Sequence, residues 1–292
     1  LLELEYGENL ELSKIRIERA VDMFGGFFER MYYGNPNKPD LKYEDLRKKP
    51  IKLFFTVLQI RFWNLIKLNL LYSIFWLPAF IWTYIQLQVT AQTNEPISLF
   101  YFLVLLPCLL IAGPATAGVT YVLRNWARDE HAWIFSDFKD AWKMNWKESL
   151  IIMFINGLAL MLFYVNLTFY RTMATQNMVF VVLYYFMLMI GLIYAMMNIY
   201  IFPMLVTYKL KVRQIFKNAM IFTLAKLPHT FAIFVLMVAL FIASIWYIFP
   251  VFFVGLTFPM LIGVSLANWV FYKYMGGAEN SATASDSGED EL

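Results

Sequence analysis

The sequence predicts an all-α, polytopic membrane protein of about six transmembrane helices, arranged as three hairpins with amphipathic helices on the cytoplasmic side. Three observations predict it. Hydrophobic residues fill 60% of the 292 positions and charged residues only 15%, against about 25% in ordinary soluble domains. Uncharged runs recur at about the 20-residue length a helix needs to cross hydrocarbon. Lysine and arginine gather in alternate segments between those runs, as they do when a chain threads a bilayer.

The runs place the elements in order. Lys67 and Glu95 bound a first span near 65–88, and Glu95 and Arg124 a second near 97–123. Glu148 and Arg171 enclose a third near 149–170, and Arg171 and Lys209 a fourth near 177–207, long enough to tilt. Between Lys226 and Lys273 no Asp, Glu, Lys or Arg occurs, which leaves room for spans near 228–248 and 251–273 joined by a tight turn at Phe249-Pro250. One crossing plus a re-entrant segment is the alternative for that stretch. The spans form a transmembrane domain over 51–275, preceded by a cytoplasmic segment 1–50 and followed by 276–292, an acidic, small-residue tail expected to be disordered.

Orientation follows from the loops. Segment 42–67 carries Lys42, Arg47, Lys48, Lys49, Lys52, Arg61 and Lys67; loop 124–147 carries Arg124, Arg128, Lys139, Lys143 and Lys147; segment 209–226 carries Lys209, Lys211, Arg213, Lys217 and Lys226. The intervening loops hold Arg171 alone. Basic loops stay inside, so both termini are expected in the cytoplasm.

The chemistry-bearing residues are sparse. A net charge of +3 does not point to a nucleic-acid partner, and Cys108 has no second cysteine for a disulfide or a multi-cysteine metal site. His131 and His229 stand far apart, and no GxxxxGK[ST] phosphate loop occurs. No Asp or Glu lies within a span, where a proton- or sodium-coupled carrier usually keeps one. The expectation is therefore no enzyme, no cofactor and no metal. Gln86, Asn156, Asn166, Asn198, Ser265 and Asn268 are polar residues suited to hydrogen bonds between helices.

Two stretches invite a functional reading. In AGPATAGVTY (112–121), Gly113-Pro114 is expected to kink or break the second span. Gly113 and Ala117, and Pro114 and Gly118, lie four apart and offer a neighbouring helix close approach. Alternatively, a broken helix beside Thr116, Thr120 and Tyr121 could line a polar cavity. Tyr121, Arg124 and Arg128 continue the face toward the cytoplasm, where the arginines would meet headgroups or Asp129 and Glu130. In the second stretch, 134–147, Phe135, Phe138, Trp142 and Trp146 repeat at helical spacing while Lys139, Asp140, Lys143 and Lys147 fall elsewhere. Ser136 followed by Asp137 is the expected N-cap. Such a helix serves as an interfacial anchor or docks a partner. FWNLIKLNLLY (62–72) and IFKNAMIFTLAKLP (215–228) likewise lead polar residues into spans. FPML at 202–205 and 258–261, and VTY at 119–121 and 206–208, form a weak repeat, with Pro114, Pro203 and Pro259 one to each returning span.

AGPATAGVTYVLRNWARDEHAWIFSDFKDAWKMNWKESLI, FWNLIKLNLLYSIFWLP, YIFPMLVTYKLKVRQIFKNAMIFTLAKLP and MFGGFF together resemble the YesL family of bacterial integral membrane proteins, a domain of unknown function, over about residues 23–275. The resemblance implies a plasma-membrane protein of Gram-positive-type bacteria and no established catalytic residues. It implies a helper role beside carbohydrate ABC importers, whose membrane subunits would be partners along with the lipid bilayer. It also makes Met23 a candidate start and leaves 1–22 outside the pattern. The expected function is an accessory or interaction protein of the membrane; the alternative is a solute transporter or channel with its site near the second span.

Overall fold

The computed structural model describes residues 50–246 and 251–286. The N-terminal readings over 1–49, Met23 among them, the Phe249-Pro250 turn and the tail beyond 286 lie outside the described residues. Among those described, the chain is helical: α1 (Pro50–Thr93), α2 (Leu99–Ala127), α3 (Ile134–Met173), α4 (Met178–Thr207), α5 (Val212–Ala225), α6 (Leu227–Trp246), a π-helical turn (Val251–Gly255) and α7 (Thr257–Asp286). Six stretches are long and apolar enough to cross a membrane: Phe54–Thr93, Leu99–Ala127, Ile134–Met173, Met178–Thr207, Leu227–Trp246 and Phe253–Tyr274. The architecture is an all-α polytopic membrane fold. The exception is α5, a short helix among basic residues.

The chain divides into two compact units, Leu1–Asn64 and Leu65–Leu292. In the first, Arg61 leaves helical geometry (φ −106°, ψ 15°) and interrupts α1.

Local chemistry sets the helix ends. Asn177 caps α4, its side-chain oxygen accepting from Val179 N at 3.0 Å. α2 closes with Asp129 at φ 60°; Asp129 N donates to Trp126 O at 3.0 Å and Glu130 N to Asn125 O at 2.8 Å. That paired arrangement is a Schellman ending, and aspartate is among the few side chains that tolerate the left-handed position. α6 begins at Leu227-Pro228, where the missing proline donor falls on a position with no intrahelical partner. α7 continues to Asp286, into the stretch expected to be tail.

α3 begins at Ile134 with Trp133 as its N-cap, not Ser136. Asp137 acts from inside the first turn instead, its Oδ2 accepting from Trp133 N at 2.8 Å. α3 also runs unbroken from the basic loop through the third span, whereas a break separates α5 from α6 at Lys226. The FPML repeat is not structural, since Pro203 lies near the C-terminal end of α4 and Pro259 in the first turn of α7.

The main core lies toward the basic ends of the helices. It gathers Ala117 of α2, Ile152 and Met153 of α3, residues within 197–206 of α4, Ile215 and Ala219 of α5, and residues within 266–271 of α7. A smaller cluster at the other end joins Ala79 to Tyr101, Phe102 and Leu105.

Candidate functional site

The second span is the central strut of this unit. Every residue from Ala112 to Thr120 is buried, so α2 is covered on all faces and not along one stripe. Small residues make that possible. A Cβ on Gly113 would stand 2.9 Å from the Ser149 carbonyl oxygen, and one on Gly118 would stand 2.8 Å from that of Phe138. α3 therefore lies against bare α2 backbone at two levels. Between Gly113 and Gly118 the contact moves from Ser149 to Phe138, a longer step on α3 than on α2, so the first turns of α3 cross α2 obliquely.

Pro114 does not break the helix; α2 is continuous through it. Thr116 Oγ1 donates to Ala112 O at 2.8 Å and shares a 2.8 Å bond with the Tyr72 hydroxyl of α1. Thr120 Oγ1 donates to Thr116 O at 2.6 Å. The hydroxyls are thus satisfied by α2 itself and by one tyrosine.

At the basic end, Arg124 reaches sideways. Its Nη1 donates to Val206 O at 2.6 Å, its Nε and Nη2 to Asn125 Oδ1 at 3.0 and 2.7 Å, and its guanidinium sits 4.4 Å from the Tyr121 ring centroid. Val206 belongs to the last turn of α4, whose carbonyls lack intrahelical donors and carry the negative end of the helix dipole. A cation there is a C-cap supplied by another helix. Arg128, half-buried, is the C-cap residue of α2.

The aromatic row of α3 splits. Phe138 is buried, and Phe75 of α1 packs edge-on against Trp142 at 4.8 Å. Phe135 and Trp146 stay exposed, with Lys147 over the Trp146 ring at 5.5 Å. The buried positions instead read Phe138, Ala141, Asn145, Ser149 and Ile152, a small-residue seam that large side chains obscured in the sequence.

Asn69 is a residue that sequence reasoning missed. It is fully buried in α1, and its Oδ1 accepts from Leu256 N at 3.0 Å, Thr257 N at 2.9 Å and Thr257 Oγ1 at 3.1 Å, while Nδ2 donates to Val251 O at 2.8 Å. Asn69 therefore caps α7 from another helix. Asn268 Nδ2 donates to Arg124 O at 3.3 Å, which sets those residues at one level. Unpaired buried amides are costly, and Asn69 pairs those at the start of α7.

A cavity of about 790 Å³ lies among α1, α2, α3, α4, α6 and α7. Of the residues singled out in 112–121, Thr116 alone lines it. Its polar wall is largely self-paired: Tyr194 hydroxyl to Asn156 Oδ1 at 2.6 Å, Asn156 Nδ2 to Asn198 Oδ1 at 2.9 Å, and Asn198 Nδ2 to Tyr194 O at 3.0 Å. Asn156 and Asn198 thus make the interhelical bond their placement suggested. Asn166 and Ser265 bond within their own helices, to Leu162 O and Leu261 O. His229 stacks on Trp269 at 5.6 Å, and His131 meets Trp133 edge-on at 4.8 Å.

Residues 65–167 match a family model described as "Protein of unknown function, DUF624". The matched stretch contains Asn69, the Gly113–Gly118 contact, Arg124 and the first turns of α3. No curated protein and no solved structure matches the chain.

Proposed function

We propose that the chain is an accessory integral membrane protein that binds a protein partner at the basic end of its helices, without catalysis and without a cofactor. One observation carries the reading. The oblique first turns of α3 seat Phe138, Ala141 and Asn145 against the bundle, yet leave Trp133, Phe135, Met144 and Trp146 exposed beside Lys139, Lys143 and Lys147. Phe135 is 71% exposed and Trp133 68%. Large apolar side chains clustered at a surface mark an interaction site. The partner we name is the membrane subunits of a carbohydrate ABC importer, on the resemblance to the YesL family; the setting is a bacterial plasma membrane with both termini cytoplasmic, on the basic loops.

Purification of the chain from native membranes in mild detergent, with identification of every co-purified chain, tests this. Importer subunits are expected with the wild type and about tenfold less with Trp133→Ser combined with Phe135→Ser, a loss of about 1.4 kcal/mol in affinity. Recovery of the chain alone, or equal recovery with the double variant, would overturn the proposal. The second reading, a solute transporter or channel, draws on the cavity. Its wall has no Asp, Glu, Lys, Arg or His and offers an ion no counter-charge; flux of ions or sugars into liposomes above empty vesicles would favour it.

A further inference from the structure

No Asp or Glu occurs along 149–278, yet that stretch carries Lys209, Lys211, Arg213, Lys217, Lys226 and Lys273. Two of these cations converge on one indole. Lys226 Nζ stands 5.7 Å from the Trp269 ring centroid and 5.4 Å from that of Tyr274, and Lys273 Nζ stands 5.7 Å from the same Trp269 ring. Both distances are within cation–π range, so the ring holds the two ammonium groups near each other. Among the described residues no carboxylate pairs with either lysine. Like charges gathered in this way repel, and an anion between them would be attracted by both. His229, exposed and stacked on Trp269 at 5.6 Å, adds a hydrogen-bonding ring to the cluster. The level in the membrane is also fixed. Lys226 directly precedes the span Leu227–Trp246, and Lys273 is the last residue but one of the span Phe253–Tyr274. Tryptophan and tyrosine gather where hydrocarbon gives way to headgroups. α6 starts at this level with no acid in its first turn, so the positive end of its dipole adds to the field. On the hydrocarbon side, Leu227 and Phe231 of α6 are exposed.

We infer that this cluster binds one anionic phospholipid, its phosphate held between Lys226 and Lys273 beside Trp269 and an acyl chain lying along Leu227 and Phe231. The adjoining apolar surface selects a lipid over a free phosphate, because the charges sit where the chain enters hydrocarbon. A headgroup with its own cation, such as choline, is disfavoured by the two ammonium groups. The site shares no residue with the surface of α3 proposed for the partner, so either can fail without the other.

The test uses the purified full chain in neutral detergent, stripped of lipid and offered dioleoyl phosphatidylglycerol or dioleoyl phosphatidylcholine, which share their chains and differ in charge. Native mass spectrometry reads the bound fraction. The wild type is expected to retain one phosphatidylglycerol and to hold phosphatidylcholine about tenfold less well. Excess glycerol phosphate, a headgroup without chains, should leave the lipid bound. Lys226→Gln combined with Lys273→Gln is expected to lower phosphatidylglycerol retention about tenfold, the effect of removing two ammonium groups from a lipid surface. Lys211→Gln combined with Lys217→Gln removes the same charge from α5 and should change retention little, which separates a site from a diffuse basic belt. Lys273→Glu, at an exposed position, is the second variant and should lose the preference for the anionic lipid; circular dichroism shows that each variant has folded. Equal retention of the two lipids by the wild type, displacement by glycerol phosphate, equal losses from the two glutamine pairs, or undiminished binding by the folded Lys226 and Lys273 variants would overturn the inference.

Discussion

Asn69 and Arg124 do the same job at opposite ends of different helices. Each sends one side chain across to backbone groups that another helix leaves unpaired. Asn69→Leu leaves the buried Leu256 and Thr257 amides without their acceptor. An unsatisfied buried donor costs about 1–3 kcal/mol, so thermal unfolding in detergent should show a loss on the order of 3 kcal/mol. Asn69→Asp keeps the accepting oxygens and should recover part of it. Arg124→Met leaves the Val206 carbonyl without its donor and removes the charge at the α4 terminus. A loss of about 1–2 kcal/mol is expected by the same measurement. Arg124→Lys should fall between, since an ammonium keeps the charge but not the fork that also holds Asn125.

Among the elements, the α2–α3 contact governs packing. Glycine at 113 and 118 is needed for close approach, and the neighbours are backbone oxygens that have little room to move. Gly118→Ala should therefore destabilise by about 1–3 kcal/mol, the usual cost of overpacking. Gly191→Ala is the control on α4. Its Cβ would meet the Phe163 ring at 3.3 Å, where a side chain can yield, so its unfolding midpoint should move much less. Equal shifts would mean that α2 and α3 are not held as closely as described. α3 shows why periodicity misled at the residue level. Its aromatic row has helical spacing, yet the seam that packs is Ala141, Asn145 and Ser149. Close approach selects small side chains, and a pattern of large ones does not reveal which face permits it.

Across the whole second unit, packing is uneven. The basic ends share a continuous core, and the far half of α4 leaves it. The basic ends are also where the positive-inside rule places the cytoplasm. In a Cys108→Ser background, Lys143→Cys and Lys211→Cys should react with a membrane-impermeant maleimide only after cells are opened. Labelling of either in intact cells would invert the arrangement and move the exposed surface of α3 to the outside.

The all-α class, the six apolar stretches and the clustering of charge between them are legible in the order of residues alone. Those are local properties: hydrocarbon rejects charge and demands paired backbone, so a long uncharged run becomes a helix whatever its neighbours. Gly113 and Gly118 were legible as points of close approach, because small residues four or five apart have that meaning on any membrane helix. What each polar side chain meets is set by packing in three dimensions. Asn69 bonds residues more than 180 positions away, and Arg124 a carbonyl 82 positions away. The cavity depends likewise on which helices stand side by side. Hydropathy is indifferent to that choice, since any apolar face suits lipid as well as another helix.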